Sequence, residues 1–585
     1  MEVSCLAEIL WVLDDDNMGE SSLVRIERII IMKLKEKIIS SSIVVSLIAL
    51  PSFTPPKAEA SFLAGYVIGS MIKSNIVHNK YYKAMLEQGG YAHIQKGFLD
   101  LWQQQYPLDS DEQNKIMVND IMNQLVNHGE YVLDIHNLPF RWQVTTDKSI
   151  NAFCGATDAI NINLGLLNLI DGRRDELAAV FAHEMIHGIK HHVAVNAAQN
   201  AKEKVLFTKV ANVSSPDYWN LIETMMKYSS AKNISVPLEY EADEYGLYLM
   251  ASAGFNPGGA PAMMSRLLTI ENGSVDSFFN PSDHPDTEKR MIKLAELMSK
   301  YGYNHVSVKE ENKIYIDDTY LLQAKADDIY SSREMAFLIA GGLAKGFHDN
   351  NFATMWNFRK DAKGKFTFLN DSEVYRPLIK AVQEEKGGEI LEDLVHKAYN
   401  NDSKTGNRDK LIIEDNKRKD EMNKRKEKNL KIDKKNVDRI KFNANYYNSI
   451  RQYALSMFEA DKLISAQVAD DVTRVIKADS LYNTGDFDKC IDECNIAIAI
   501  NPKNECAYMT RALSYARKDD KIAALEDCKK AISINSNNPL VYQKQGDVLN
   551  ILNNHNEALL SFRTYIQMEP NGIENVPEEY RAELR

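Results

Sequence analysis

Ala178-Ala179-Val180-Phe181-Ala182-His183-Glu184-Met185-Ile186-His187 sets two histidines four residues apart around a glutamate. At 3.6 residues per helical turn, His183 and His187 fall one turn apart on one helix face, where both imidazoles can reach one ion. Glu184 projects beside them toward a bound water. Chance would produce H-E-x-x-H on the order of 0.02 times in a chain of this length and composition. Leu177, Val180, Phe181 and Ile186 supply an apolar stripe that buries the helix, and Asp175 and Glu176 stand at its positive amino end.

A catalytic zinc takes three protein ligands and keeps one position open for water. The third-ligand candidate lies in Leu238-Glu239-Tyr240-Glu241-Ala242-Asp243, inside a second helical pattern that ends near Gly254, before Asn256-Pro257. Glu239 and Asp243 are one turn apart, so Glu239 can bind the ion while Asp243 accepts a hydrogen bond from a ligand imidazole. Small Ala242 lets the two helices approach, and Glu241 points elsewhere, to solvent. The expected cofactor is one zinc ion on His183, His187 and Glu239, with Glu184 as general base.

The whole chain has 585 residues, which at roughly 150 residues per domain is a prior of three to four domains. With 26% charged and 44% hydrophobic residues it is neither disordered nor a many-span membrane protein. A net charge of −12 gives no global reason to bind nucleic acid, and six cysteines are too few for a disulfide scaffold.

The amino-terminal region reads as an address. Met32-Lys33-Leu34-Lys35-Glu36-Lys37 is a basic start, Ile38 to Leu50 an apolar run, and Ala58-Glu59-Ala60 a small-residue site. This is a secretory signal over 32–60, cleaved before Ser61; a buried helix or a retained anchor is the alternative for the same run. Residues 1–31 precede the signal oddly and are expected to be a start-site artefact. No later run approaches the length of a membrane span, Ala336 to Leu343 being the nearest. The destination is thus the periplasm or the exterior.

Strands are expected at Phe140 to Thr146 and Ala159 to Asn163, with helical periodicity from Gly165 up to Tyr301. Residues 306–401 form a mixed segment without assignment. Asp402 to Arg439 is dense in interleaved acids and bases, and 402–470 reads as a charged helical linker.

The tail repeats itself. Ile500-Asn501-Pro502, Ile534-Asn535-Ser536 and Met568-Glu569-Pro570 recur every 34 residues, the tetratricopeptide period. Ala478, Ala512 and Gly546, then Cys490, Ala524 and Ala558, keep small residues where paired helices approach, and Leu481, Tyr515 and Leu549 fill the core column between them. Three repeats over 471–572 and a capping helix over 573–585 follow, a surface for a protein partner. Cys490 and Cys494 share a helix face and are poorly placed to pair with each other, so any bridge would involve Cys506 or Cys528. No Cys-His-Asn arrangement makes Cys154 a nucleophile.

Several blocks together resemble the zinc endopeptidase family that includes the heat-shock protease HtpX and the CaaX prenyl proteases. They are Asn151-Ala152-Phe153, Gly165-Leu166-Leu167, Asp175 to Val180, the H-E-x-x-H string with its continuation to His192, the 239–243 block, and His284-Pro285 with Arg290. The order of signal, catalytic domain without transmembrane helices and repeat tail is most similar to the periplasmic branch of that family, linked to outer-membrane protein assembly. The resemblance implies an α+β, mostly helical, zincin-like metallopeptidase domain with a small sheet (61–305), followed by an α-helical tetratricopeptide solenoid. It implies polypeptide substrates among misfolded or stalled envelope proteins, and peripheral association with an outer-membrane assembly machinery. It further implies an edge strand at Asn151, Ala152, Phe153 and Cys154, to which an extended substrate adds. His284 is expected as a latch on the zinc or an oxyanion stabiliser, and Arg290 as an oxyanion stabiliser or the partner of an acid. The family's usual Pro-Gly turn after Asn-Ala-Phe is replaced by Cys154-Gly155-Ala156-Thr157, and its Ser-Arg before the third-ligand block by Ser235-Val236-Pro237.

Overall fold

A computed structural model describes residues 95, 99–100, 102–130, 140–155, 158–190, 192, 236–273, 287–349, 359–360, 366–367, 373–384, 388–432 and 436–584. The signal over 32–60, residues 1–31, His191 and His284 lie outside the described residues.

Helix α1 (Glu112–His128) opens at Asp111, whose carboxylate accepts hydrogen bonds from the Gln113 and Asn114 amides. Strands β1 (Arg141–Thr145), β2 (Ala152–Cys154) and β3 (Ala159–Asn163) form a sheet in the order β1-β3-β2, with β1 parallel and β2 antiparallel to β3. Helix α2 (Leu164–Ile170) ends at Asp171, which takes the left-handed conformation, φ 48°. Then comes α3 (Arg174–Ile189), apolar on nearly every side and buried along most of its length, as a helix enclosed by other elements must be. It packs on α1, on β2, and on α4 (Val236–Ser252) and α5 (Gly259–Gly273). Helix α4 stops before Gly254, whose φ of +98° suits glycine.

Helix α6 (Thr287–Tyr301) leads into a meander of β4 (Val306–Lys309), β5 (Lys313–Ile316) and β6 (Thr319–Gln323), followed by α7 (Ser332–His348). Helix α7 opens with a capping box between Ser331 and Glu334 and buries Ala336 to Ala344. The apolar run singled out in the sequence is therefore core, and no helix among the described residues is long and apolar enough to cross a membrane. One continuous apolar core extends from Val118 to Ala398. The domain boundary placed at 305 consequently cuts through a single core. Residues of the unassigned 306–401 segment complete that core, because α7, apolar all round, needs cover from α5 and α6 on one side and from α8 (Arg376–Glu384) on the other.

His305 ties the meander to α9 (Gly388–Thr405). Its Nδ1 lies 2.8 Å from Asp317 Oδ1 and its Nε2 2.8 Å from Asp402 Oδ2. Burial works against its charge, but the two carboxylates outweigh burial and raise its pKa. A folded value above the unfolded one gives stability that is complete below about pH 6.5 and lost as pH climbs through the raised value. Stability to urea should thus decline as pH rises above that range, by no more than about 1.4 kcal/mol per unit. His305→Leu should remove that part of the slope, and an unchanged slope would refute the assignment.

The expected charged linker contains α10 (Asn407–Asn429), which docks rather than floating free: the Arg418 guanidinium lies 4.5 Å from the Tyr248 ring centre and pairs with Glu130 and Asp415. Beyond it, helices start at 437, 471, 505 and 539 and again at 453, 487, 521 and 555, all 34 residues apart. The pair α11 (Val437–Ser449) and α12 (Tyr453–Ser465) is thus a fourth unit ahead of the three expected ones, taken from the segment read as linker. The packing repeats with the same step, since Ser456 Oγ lies 3.0 Å from Ser480 Oγ and Cys490 Sγ 3.0 Å from Ser514 Oγ. The sequence concealed this unit because Ala466-Gln467-Val468 stands where the next two units carry Ile-Asn. Gln452, between its helices, holds the peptidase sheet by accepting from the Phe140 amide at 3.0 Å and donating to the Phe140 carbonyl. The five described cysteines are free thiols.

Candidate metal centre

His183 and His187 share the buried face of α3, and Glu239 and Asp243 share the facing side of α4; all four are buried. The helices meet closely at Gly246, where a β-carbon would stand 3.1 Å from the backbone nitrogen of His183, with buried Ala242 one turn earlier. That approach delivers the carboxylate to the imidazoles. His183 Nε2 and His187 Nε2 are 3.0 Å apart, and Glu239 Oε2 and Oε1 lie 3.4 and 3.5 Å from them respectively.

The donor set fits a zinc ion. Four-coordinate zinc with bonds of about 2.0–2.1 Å spaces its ligand atoms about 3.3 Å apart. Two ring nitrogens facing each other at 3.0 Å need a proton or a cation between them. Among the described residues, these three form the cluster of His, Cys, Asp or Glu able to hold a metal.

Around them, Asp243 Oδ1 lies 3.0 Å from His183 Nδ1. Arg290 grips Asp243 in bidentate fashion, Nε to Oδ2 and Nη2 to Oδ1 both at 2.7 Å, while its Nη1 stands 3.1 Å from Glu239 Oε2. Of the two roles open to Arg290, the structure shows the pairing with acids, and its side chain also lines the cavity beside His183 and Glu184. Burial would raise the Asp243 pKa, but Arg290 and His183 hold it down at about 2. Burial likewise opposes a charge on His183, yet Asp243 and Glu239 lift its pKa to about 10, and burial with the neighbouring His183 drives His187 well below its ordinary value.

Glu184 is buried and its Oε2 accepts a hydrogen bond from the Cys154 amide at 2.9 Å. On either side of β2, the Asn151 carbonyl accepts from the Asn163 amide at 3.1 Å and the Gly155 amide donates to the Ala159 carbonyl at 2.7 Å. By antiparallel alternation residues 151, 153 and 155 face β3, while the backbone groups of Ala152 and Cys154 face outward. No strand among the described residues pairs with that edge. The base is therefore joined through one amide to an edge that no described strand pairs, although the three residues of β2 are themselves buried. The Cys154 thiol is buried, and burial pushes its pKa well up, the reverse of a nucleophile's environment.

A cavity of about 60 Å³ adjoins His183 and Glu184, walled by Ile150, Ala152, Val180, Leu247, Met263 and Met264. Sequence reasoning missed α5 as a wall, and it also missed His192 and Glu241. Buried His192 places Nδ1 2.9 Å from His187 Nδ1 and Nε2 3.4 Å from Glu241 Oε2, and Lys190 lies 3.2 Å from Glu241 Oε1. Glu241 is thus a paired residue and not merely solvated. Five residues after His187, His192 would point away on a continuing helix; it returns because α3 ends at Ile189.

Residues 113–298 match the model of peptidase family M48, and residues 507–538 that of the tetratricopeptide repeat. Similar proteins include the mitochondrial metalloendopeptidase OMA1 of Arabidopsis thaliana, 32% identical over 26% of this chain and 31% of that protein. The metalloprotease LoiP of Escherichia coli is 26% identical over 29% of this chain and 67% of its own length. The beta-barrel assembly-enhancing protease of Escherichia coli is 24% identical over 39% of this chain and 46% of its own. The chain spans about a third of the length of the Arabidopsis relative. With both the H-E-x-x-H helix and the Glu239 helix inside the matched region, the candidate metal centre lies in a domain that matches peptidase family M48, followed by a tail of tetratricopeptide-type helix pairs.

Proposed function

We propose that this chain is an exported zinc metalloendopeptidase that hydrolyses internal peptide bonds of misfolded or stalled envelope proteins. Its repeats recruit clients or a partner, including an outer-membrane assembly machinery at the periphery of which it works. The observation that carries the reading is the convergence of His183, His187 and Glu239 beside Glu184, itself tied to the edge strand β2. The family match and the protease names of the relatives support it, and the beta-barrel assembly-enhancing protease supports the envelope setting by its name.

His183, His187 and Glu239 would hold a zinc ion, which would supply Lewis acidity toward the scissile carbonyl and the attacking water. The edge of β2 aligns an extended polypeptide through the backbone groups of Ala152. Glu184 removes the proton of the attacking water at its carboxylate and returns it to the departing amine. Asp243 keeps the proton of His183 on Nδ1, leaving Nε2 free to bind.

The test is proteolysis by the purified mature chain. Casein cleavage lost with a chelator and restored by zinc is expected; chelator-insensitive cleavage, or none, defeats the reading. The cavity adds a sequence preference. It adjoins Glu184, and Glu184 protonates the departing amine, so the residue owning that amine directs its side chain there. New amino termini of casein products should be enriched in Leu, Met, Ile and Phe several-fold over their abundance. A flat distribution with intact cleavage refutes the cavity's role alone.

A further inference from the structure

We propose that His192 and Glu241 are positioning residues that lock the ring of His187 for a metal, an inference that rests on the metal-site reading above. Metal binding at His187 Nε2 needs a lone pair there, so the ring's proton must sit on Nδ1. That Nδ1 faces His192 Nδ1 at 2.9 Å, and two N–H groups cannot face each other. His192 Nδ1 is therefore the acceptor, and the His192 proton is on Nε2, which looks toward Glu241 Oε2 at 3.4 Å. One arrangement of protons satisfies the whole series. His192 accepts from His187, the Glu241 carboxylate stands at ion-pair distance from the His192 Nε2–H, and His187 presents its lone pair to the ligand cluster.

The two ligand imidazoles are thus fixed by carboxylates in unlike ways. Asp243 holds His183 directly, whereas Glu241 holds His187 through an intervening imidazole. Edge contact between the His187 and His192 rings, centroids 5.0 Å apart and planes at 74°, also limits rotation of His187. Lys190 anchors Glu241 at 3.2 Å while resting 3.7 Å from the Tyr245 ring centre on α4. The lock therefore joins the chain just beyond α3 to the helix that carries the third ligand. Partners of this kind set the orientation and basicity of a ligand ring, and their loss weakens metal binding by about 10–100-fold.

The experiment measures zinc affinity of the purified mature chain by competition with a chromophoric chelator, and the visible spectrum of the cobalt-substituted protein. His192→Leu should weaken zinc binding about 10–100-fold and alter the cobalt spectrum. His192→Gln, whose carbonyl can accept from His187 and whose amide can donate to Glu241, should restore affinity to within a few-fold of wild type. Glu241→Gln, at a half-exposed position, should weaken binding in the same direction by a smaller factor. Unchanged affinity in the leucine variant, or equal losses in the leucine and glutamine variants, overturns the proposal. Should the leucine variant fail to fold, imidazole nitrogen shifts of the zinc-bound wild type decide. The Nδ1–H form of His187 with the Nε2–H form of His192 is expected, and any other pairing overturns it. A wild-type chain that binds no zinc brings down the metal-site reading itself, and this inference with it.

Discussion

Glu184→Gln should leave the zinc content of the purified protein at the wild-type level while lowering casein hydrolysis about 10²–10⁴-fold. The side chain is buried and accepts the Cys154 amide at 2.9 Å. A glutamine carbonyl can accept that same bond, so β2 and the helix should keep their places and the melting temperature should barely move. The amide cannot take a proton from water, and that function alone disappears. Glu184 is not among the three ligand atoms, so metal analysis should not register the change. Retained hydrolysis would defeat the assignment of Glu184 as base. The same variant separates cutting from binding in an envelope-stress assay. A chain acting mainly as a chaperone through its array of helix pairs should still relieve stress, whereas a peptidase should not.

Arg290→Met should be among the most destabilising single changes in the peptidase domain, on the order of 3–5 kcal/mol in urea denaturation of the metal-free protein. Arg290 is 1% exposed and serves two buried carboxylates, Asp243 in bidentate fashion and Glu239 at 3.1 Å. Methionine fills much of the volume but removes the cation, leaving Asp243 and Glu239 buried beside His183 and His187 without it. Zinc would neutralise part of that charge, so saturating metal should recover part of the lost stability. Because zinc stabilises any chain that binds it, the discriminating quantity is the gap between wild type and variant: a charge effect predicts a narrower gap at saturating metal, a packing defect an unchanged one. A loss under about 1 kcal/mol would mean that solvent already screens the pair.

The amino-acid sequence by itself determined that His183, Glu184 and His187 stand together, and that Glu239 and Asp243 share a face, because neighbours one turn apart depend only on the pitch of one helix. The repeat tail was equally legible, since a step of 34 residues is a property of the string. Other features depended on which faces of distant elements bury one another, a free energy summed over the whole core and not carried by any single stretch. The meander and α7 belong to the peptidase core because an all-apolar helix must be covered on every side. Arg290 pairs with acids because α6 packs beside α4, and His192 reaches His187 because α3 ends at Ile189. Charge density made residues 402–470 look like linker, yet packing against α13 (Asp471–Asn483) and the hold of Gln452 on Phe140 make the second half of that segment a repeat unit joined to the catalytic sheet.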